Sequence, residues 1–366
     1  SSPNEKADAP PGLTQHAVEG FRSDESFEYW VQLPPEYDPR LSYPAIVTLH
    51  SADTTPELQI DWWAGAYDPA LRMRLGQATR RGYIVIAPRW KPASGSGYAF
   101  SAREHAAVLF ALRDACQRVA IDTDRVFLTG HSAGGDAAWD IGLAHPDLWA
   151  GVVPIVAAAR NSRPDCPRYV THYWPNARHL AFYFVSGEKD APRSEWNATD
   201  FNRYFRRVGF DTMLVDYRGR GHEHFGDEIQ RVFRWMEVHR RQFFPDEFEV
   251  VTRRLWDNFF WYVELDGIQS RAMIDPAAWP APRAARPLPV SGSVRERKAV
   301  VVEAKNTDLV TVYVSPEMVD FGTDVAVTIN GRKKTRRVLP DPQVLLEDAR
   351  TRGDRQHPFW AKVTSR

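Results

Sequence analysis

A chain of 366 residues in which 47 Lys plus Arg face 47 Asp plus Glu has no formal net charge, which argues against a nucleic-acid-binding or polybasic membrane-surface protein. Apolar residues at 43% and charged residues at 26% describe a globular chain long enough to bury a full core, with about two domains expected from its length. The longest nearly apolar run, 148–159, is broken by Gly151 and Pro154 and falls short of the roughly 18 residues a membrane-spanning helix needs, so no span is expected.

Residues 1–11 read as a disordered arm. The chain opens Ser-Ser-Pro without a Met or an apolar signal core, and is taken as a processed soluble chain, which leaves the compartment open and admits a secreted or periplasmic setting. Strand signals at 27–33, 45–50 and 83–87 are followed by a helix-period stretch at 102–119. Then come a strand at 126–129, a helix at 133–144 stopped by Pro146, and strands at 152–157 and 181–185. A helix at 196–207, a strand at 213–217 and a helix at 227–242 complete the series. Short, continuously apolar strands alternating with amphipathic helices predict an α/β fold, a mostly parallel sheet covered by helices on both faces.

After about Phe244 the pattern changes to strand signals at 247–252, 259–265, 298–304, 310–315 and 324–330, with a turn at Asn330-Gly331. The stretch 276–290 carries five prolines and reads as an exposed loop. These features predict a catalytic α/β domain over 12–246 and a β-rich accessory domain over 247–366, a sandwich. Trp256, Phe259, Phe260 and Trp261 are expected at the junction as shared core. Cys116 and Cys166 permit one disulfide at most and exclude a Cys-based zinc site; two idle thiols are the simpler reading.

The informative segment is 125–135, RVFLTGHSAGG, a buried strand running into Gly130-His131-Ser132-Ala133-Gly134 and then a helix. A nucleophilic serine has to sit on a sharp turn at the carboxyl edge of the sheet, and glycines two before and two after it remove Cβ atoms that would collide across that turn. The helix that follows aims its free N–H groups at the serine, which favours an oxyanion. A serine hydroxyl also needs a base held by a carboxylate. The loop after strand 181–185 offers Asp190 first and Glu188 second. The loop after strand 213–217 offers His222, with His224 as competitor. A metal on the His222-x-His224 pair lacks a third ligand at a supporting spacing, and none is expected. The second oxyanion donor is expected from the N–H of Ala52 or Ser51, opposite that of Ala133.

These residues resemble the α/β-hydrolase superfamily, and most of all its polyhydroxybutyrate depolymerase-like, feruloyl esterase-like and dienelactone hydrolase-like esterases. The matching features are Leu33-Pro34-Pro35-Glu36-Tyr37, Tyr43-Pro44 leading into Val47–His50, Gly130–Gly135, Gly187–Asp190 and Gly219–Glu223, which span about two thirds of the chain. One departure is His50-Ser51 where such enzymes carry His-Gly. The resemblance implies a cofactor-free hydrolase that forms an acyl-enzyme on Ser132, with His222 moving the proton and Asp190 holding the imidazole.

The expected partner is a small-molecule or polysaccharide-linked ester, including feruloyl and acetyl esters of carbohydrate. His131, Trp62, Trp63, Trp90 and Trp174 are candidate substrate contacts, although aromatic residues in these places serve core packing equally well. Two other functions fit the same chain: a prolyl-oligopeptidase-type serine peptidase, and a non-catalytic carbohydrate- or partner-binding protein on a hydrolase scaffold. The sequon Asn197-Ala-Thr199 bears on a glycosylating host alone.

Overall fold

The computed structural model describes residues 12–22, 25–91, 97–158, 170–269 and 286–365. Five apolar runs that bury almost every side chain form the centre of an eight-stranded sheet. They are β3 (Tyr43–Leu49), β6 (Ile84–Pro88), β7 (Ile121–His131), β8 (Gly151–Ile155) and β9 (Phe182–Gly187). With β1 (Leu13–Glu19), β2 (Ser26–Gln32) and β10 (Thr212–Tyr217) the order is β1-β2-β6-β3-β7-β8-β9-β10, while β4 (Tyr67–Asp68) and β5 (Met73–Arg74) make a separate small hairpin. From β6 to β10 every pairing is parallel, and β2 runs antiparallel to both neighbours. This strand order, with one reversed strand near the edge and the serine turn after β7, is the α/β-hydrolase fold.

Helices cover both faces: α1 (Pro56–Ala64), α2 (Gln77–Arg80), α3 (Ala102–Arg118), α4 (Ala133–Ala144), α5 (Val170–Tyr173), α6 (Arg193–Asp200) and α7 (Ile229–Val238). Ser101 and Glu104 close a reciprocal capping box on α3, which fixes where that helix starts. The predicted helix at 196–207 is α6 continued by a π turn, Phe201–Phe205. The predicted helix at 227–242 is shorter, because the chain beyond Val238 leaves the helix and Arg241 reaches Asp124 and Asp354. Strand β1 corrects the expectation that pairing begins near residue 27. Its side chains alternate between half-buried and exposed, so it carries no apolar run to announce it.

The C-terminal part contains β11 (Glu247–Thr252), β12 (Phe259–Phe260), β13 (Val263–Asp266), β14 (Leu288–Arg295), β15 (Ala299–Glu303), β16 (Leu309–Val314), β17 (Asp324–Ile329), β18 (Arg332–Arg337), α8 (Pro342–Thr351) and β19 (Ala361–Thr364). Sheets β11-β14-β15-β17-β18 and β12-β13-β16-β19 bury one shared core, in which Phe248, Val290, Val302 and Val327 of the first meet Phe260, Val263, Val312 and Val363 of the second. Two sheets sharing a core in this way form a sandwich. Strand β18 is fully exposed and almost entirely basic, an edge whose charge discourages pairing with another chain. Of the stretch 276–290 read as an exposed loop, 276–285 lies outside the described residues, as does Cys166, and the rest is corrected: Leu288 and Val290 are buried in β14, an inner strand.

Polar contacts tie the sandwich to the α/β part. Arg254 Nη1 donates to Asp140 at 2.7 Å, the Tyr173 hydroxyl to Asp257 at 2.8 Å, Arg241 Nη2 to Asp354 at 2.8 Å and the Thr123 hydroxyl to Asp354 at 2.9 Å. Of the expected junction aromatics, Trp261 is buried with its ring 5.3 Å from that of His179, and Trp256 lies 6.3 Å from His105. A cavity of about 310 Å³ opens in this interface between Leu109, Arg113, Cys116, Phe259 and Arg352. Burial, with Asp354 nearby, pushes the Cys116 thiol up to about 12, which keeps it protonated and unreactive.

Candidate active site

Strand β7 runs to His131 and helix α4 starts at Ala133, so Ser132 alone turns the chain, at φ 55° and ψ −118°. A β-carbon-bearing residue holds such a conformation only where its surroundings impose it. Here the Ser132 N–H donates to the Ile155 carbonyl at 3.0 Å, and the Ser132 carbonyl accepts from the Asp136 N–H at 2.9 Å. A Cβ on Gly130 would collide with the Gly134 carbonyl, and one on Gly134 with the Leu49 and His50 carbonyls. Both glycines therefore serve close backbone approach, which brings the ends of β7 and β3 and the first turn of α4 together. Ser132 is half-buried within an otherwise buried turn.

The loop after β3 faces this turn. The His50 carbonyl accepts from Trp90 Nε1 at 3.0 Å, and His50 Nδ1 donates to the Ser51 carbonyl at 2.8 Å. Burial holds the His50 pKa below its ordinary value, so the ring is neutral and its Nδ1 tautomer is set by that hydrogen bond. The Ser51 N–H donates to Thr54 Oγ1 at 3.0 Å. That bond occupies the Ser51 N–H and corrects its inclusion among the oxyanion donors. Ser51 itself stays outside the left-handed region, so the loop accepts a serine where similar enzymes carry glycine.

Asp190 and His222 come from turns that follow neighbouring strands. A Cβ on Gly187 would strike the Gly221 and Arg220 carbonyls, so the turns after β9 and β10 touch through backbone. The Lys189 N–H donates to the Arg220 carbonyl at 2.8 Å and the Glu188 N–H to the Tyr217 carbonyl at 3.1 Å, which knits the two turns together. His222 Nδ1 then lies 3.0 Å from each carboxylate oxygen of Asp190. The Asp190 side chain is 9% exposed and the imidazole 41%, a buried carboxylate against a reachable ring. Glu188 instead accepts from the Gly219 N–H at 2.7 Å and pins the turn.

His224 lies flat against His131, with ring centroids 3.6 Å apart and planes 5° apart, and the His131 and His222 rings meet at a steep angle with centroids 5.3 Å apart. His131 Nε2 donates to the Glu223 carbonyl at 3.2 Å, so the residue before Ser132 is tied to the loop that carries His222. Burial first, then the neighbouring charges of His224 and His222, lower the His131 pKa to about 3. Sequence reasoning missed a further brace. Arg193 donates to both oxygens of Asp136, at 2.6 and 3.1 Å, and to the Val156 carbonyl at 3.1 Å, joining the first turn of α4 to the chain just after Asp190.

Three tryptophans proposed as substrate contacts are corrected. Trp63 is buried and donates to Thr48 Oγ1 at 3.1 Å, and Trp90 is buried beneath the His50 loop. Trp174 packs on Tyr204, Phe210 and the Arg207 guanidinium, on the α6 side of the molecule. Trp62 remains half-buried, its ring 6.2 Å from His224. The sequon asparagine, Asn197, is buried and its amide donates to the Ala157 carbonyl at 2.6 Å, so that nitrogen has a structural partner. Among the described residues, metal-type ligand atoms converge in a group of three at His105, His145 and Asp257, at the opposite end of α4 from Ser132.

No family model matches the chain, and no curated protein matches it. Among solved structures, it is similar to a thermostable esterase, at 18% identity over 63% of this chain and 64% of that one, with a TM-score of 0.49. It is also similar to a ferulic acid esterase (16% identity, 61% of this chain and 97% of that one, TM-score 0.47). An acetyl xylan esterase from Paenibacillus sp. R4 gives 14% identity over 63% of this chain and 86% of that one, with a TM-score of 0.45. The chain spans less than two thirds of the thermostable esterase's own length.

Proposed function

We propose that this protein is a serine carboxylic-ester hydrolase in which Ser132 is the nucleophile, His222 the general base and Asp190 the residue that orients it. The observation that carries this reading is the contact of His222 Nδ1 with both oxygens of Asp190, on turns adjoining a serine held at positive φ between β7 and α4. With Nδ1 donating to the carboxylate, Nε2 is the free acceptor of the imidazole. Ser132 Oγ attacks the ester carbonyl while its proton passes to His222 Nε2. The N–H groups of Ala133 and Ala52 receive the oxyanion; collapse breaks the C–O bond, and His222 returns the proton to the departing alcohol. Water, deprotonated by the same nitrogen, releases the acid and restores Ser132. No cofactor enters this sequence of steps.

The substrate class proposed is an ester joined to carbohydrate, feruloyl or acetyl. Its support is the half-buried Trp62 beside His224, an aromatic ring joined through His224 and His131 to the residue before Ser132. The test is hydrolysis of p-nitrophenyl acetate, butyrate and octanoate, with methyl ferulate and acetylated xylan in parallel. Turnover lost in Ser132→Ala supports the mechanism, and turnover unchanged in that variant overturns it. Preference for ferulate or xylan that falls in Trp62→Ala supports the substrate class.

A further inference from the structure

At the far end of α4 three buried atoms face one another. His105 comes from the first turn of α3, His145 caps the C-terminus of α4, and Asp257 lies in the segment between β11 and β12. His145 Nε2 is 3.4 Å and His105 Nδ1 is 3.7 Å from Asp257 Oδ1, and all three atoms fall within 4.8 Å of one another. All three side chains are at most 6% exposed. None of the three atoms makes a hydrogen bond of good geometry among the described residues, His145 Nε2 standing 3.4 Å from Asp257 Oδ1.

The surroundings fix what these atoms present. The Tyr98 hydroxyl has one proton and gives it to Asp140 Oδ2 at 2.6 Å. His105 Nε2, 2.9 Å from that hydroxyl oxygen and 3.1 Å from Asp140 Oδ2, must therefore be a donor. With its Nε2 proton given to Asp140, the imidazole turns its Nδ1 lone pair towards Asp257 Oδ1, 3.7 Å away. Asp257 Oδ2 is occupied by Tyr173 at 2.8 Å and Arg254 Nε at 2.5 Å, which leaves Oδ1 to face the two imidazoles. A bare nitrogen thus points at a bare carboxylate oxygen in a site closed to solvent, an arrangement that calls for a cation between them.

We propose that His105 Nδ1, His145 Nε2 and Asp257 Oδ1 bind a divalent transition-metal ion of the zinc class, which fastens the segment leading into the β sandwich onto α3 and α4. Two imidazoles and a carboxylate suit zinc, whose bonds of about 2.0–2.2 Å place tetrahedral ligands roughly 3.3–3.6 Å apart, close to the spacing found. The contact from His105 Nε2 to Asp140 is the carboxylate–imidazole support that orients metal-bound histidines and raises their basicity. His145 lies 13 residues beyond Ser132, which along a helix is about 20 Å, so the ion acts on structure and not on the ester.

The test uses the full chain, stripped with dipicolinate and then titrated with Zn²⁺ or Co²⁺ alone. The expected result is one ion per chain by elemental analysis, the strong visible absorption of four-coordinate Co²⁺, and a higher Tm with zinc. His145→Ala and Asp257→Asn should lose the ion, and Asp140→Asn should bind it about 10–100-fold more weakly. His224→Ala should retain it. A stripped wild-type chain that takes up no ion overturns the proposal, and shows that Asp257 and His145 are simply a polar pair. An ion that survives His145→Ala, or that disappears in His224→Ala, overturns it equally by placing the metal elsewhere. The wild-type titration decides the matter even if one of the variants fails to fold.

Discussion

His222 Nδ1 stands equidistant, at 3.0 Å, from the two carboxylate oxygens of Asp190. A carboxylate so placed selects the tautomer that leaves Nε2 free and stabilises the imidazolium formed when Nε2 takes a proton. Replacing Asp190 with Asn keeps the shape and removes that selection, so kcat should fall by roughly 10⁴ while KM changes little. Glu188, two residues earlier, contacts the Gly219 N–H and not the imidazole. Glu188→Gln should stay within a few-fold of wild type in the same ester assay, and a loss matching that of Asp190→Asn would reassign the acid.

His224 spends its ring face on His131, and it is His222 that meets the acid. Turnover should therefore vanish in His222→Ala and persist in His224→Ala, with no more than about a tenfold loss from the altered packing around His131. Comparing kcat for the two variants on one p-nitrophenyl ester is sufficient, and equal losses would argue against the assignment.

Gly134 and Gly221 separate two uses of glycine. A methyl group on Gly134 would fall 2.6 Å from the His50 carbonyl and closer still to that of Leu49, whereas one on Gly221 meets nothing within 4 Å. Backbone cannot step aside as a side chain can, so Gly134→Ala should destabilise by about 3 kcal/mol or more and Gly221→Ala by about 1 kcal/mol or less. Urea unfolding of the two variants measures the difference directly.

The turn around Ser132 was legible because its signal is local: an apolar strand, five diagnostic residues and a helix of small residues lie consecutively. The placement of Asp190 beside His222 was legible for a topological reason, since β9 and β10 are neighbours and their following turns must meet. What sequence could not resolve is which of two adjacent groups faces inward. The Ser51 N–H is taken by one hydrogen bond to Thr54 that no spacing announces, and the buried Trp63 and Trp90 are the same residue type as the half-buried Trp62. Strands β1 and β18 escaped notice because exposed edges carry no apolar run, and β14 because Pro287 and Pro289 at its start read as loop. His105, His145 and Asp257 sit on three separate elements, so no local spacing betrays them.

Arg241 ties the end of the α/β part to the sandwich. Its side chain is 4% exposed and pairs with Asp354 at 2.8 Å and Asp124 at 3.2 Å. Removing one partner of a buried ion pair leaves the others charged in a poor solvent, at a cost of about 3–5 kcal/mol. Arg241→Leu should show that loss in chemical unfolding. Truncation after residue 246 should be worse, because it also uncovers Asp140 and Tyr173, and the fragment should aggregate; a soluble, folded fragment would contradict this account of the interface.

Acid should weaken the fold through His131. Its pKa falls from about 6.5 in the unfolded chain to about 3 in the folded one, burial being the largest cause and the charges of His224 and His222 the next. Between those two values the unfolded chain binds a proton that the folded chain refuses, and stability rises with pH wherever the unfolded state holds more protons. The contribution of neutral His131 is therefore complete above about 6.5 and is lost progressively as the pH falls towards 3, by at most about 1.4 kcal/mol per pH unit. Buried His105 and His50 shift the same way, whereas His357 has a raised pKa and stabilises on the acid side instead, so the total slope mixes several groups. The difference between wild type and His131→Gln removes that mixture. Urea unfolding at neutral pH and again near pH 5 should show wild type losing more stability than the variant, by about 1–2 kcal/mol. Parallel losses in the two proteins would mean that His131 is protonated in the folded chain, and that its stack with His224 does not exclude charge.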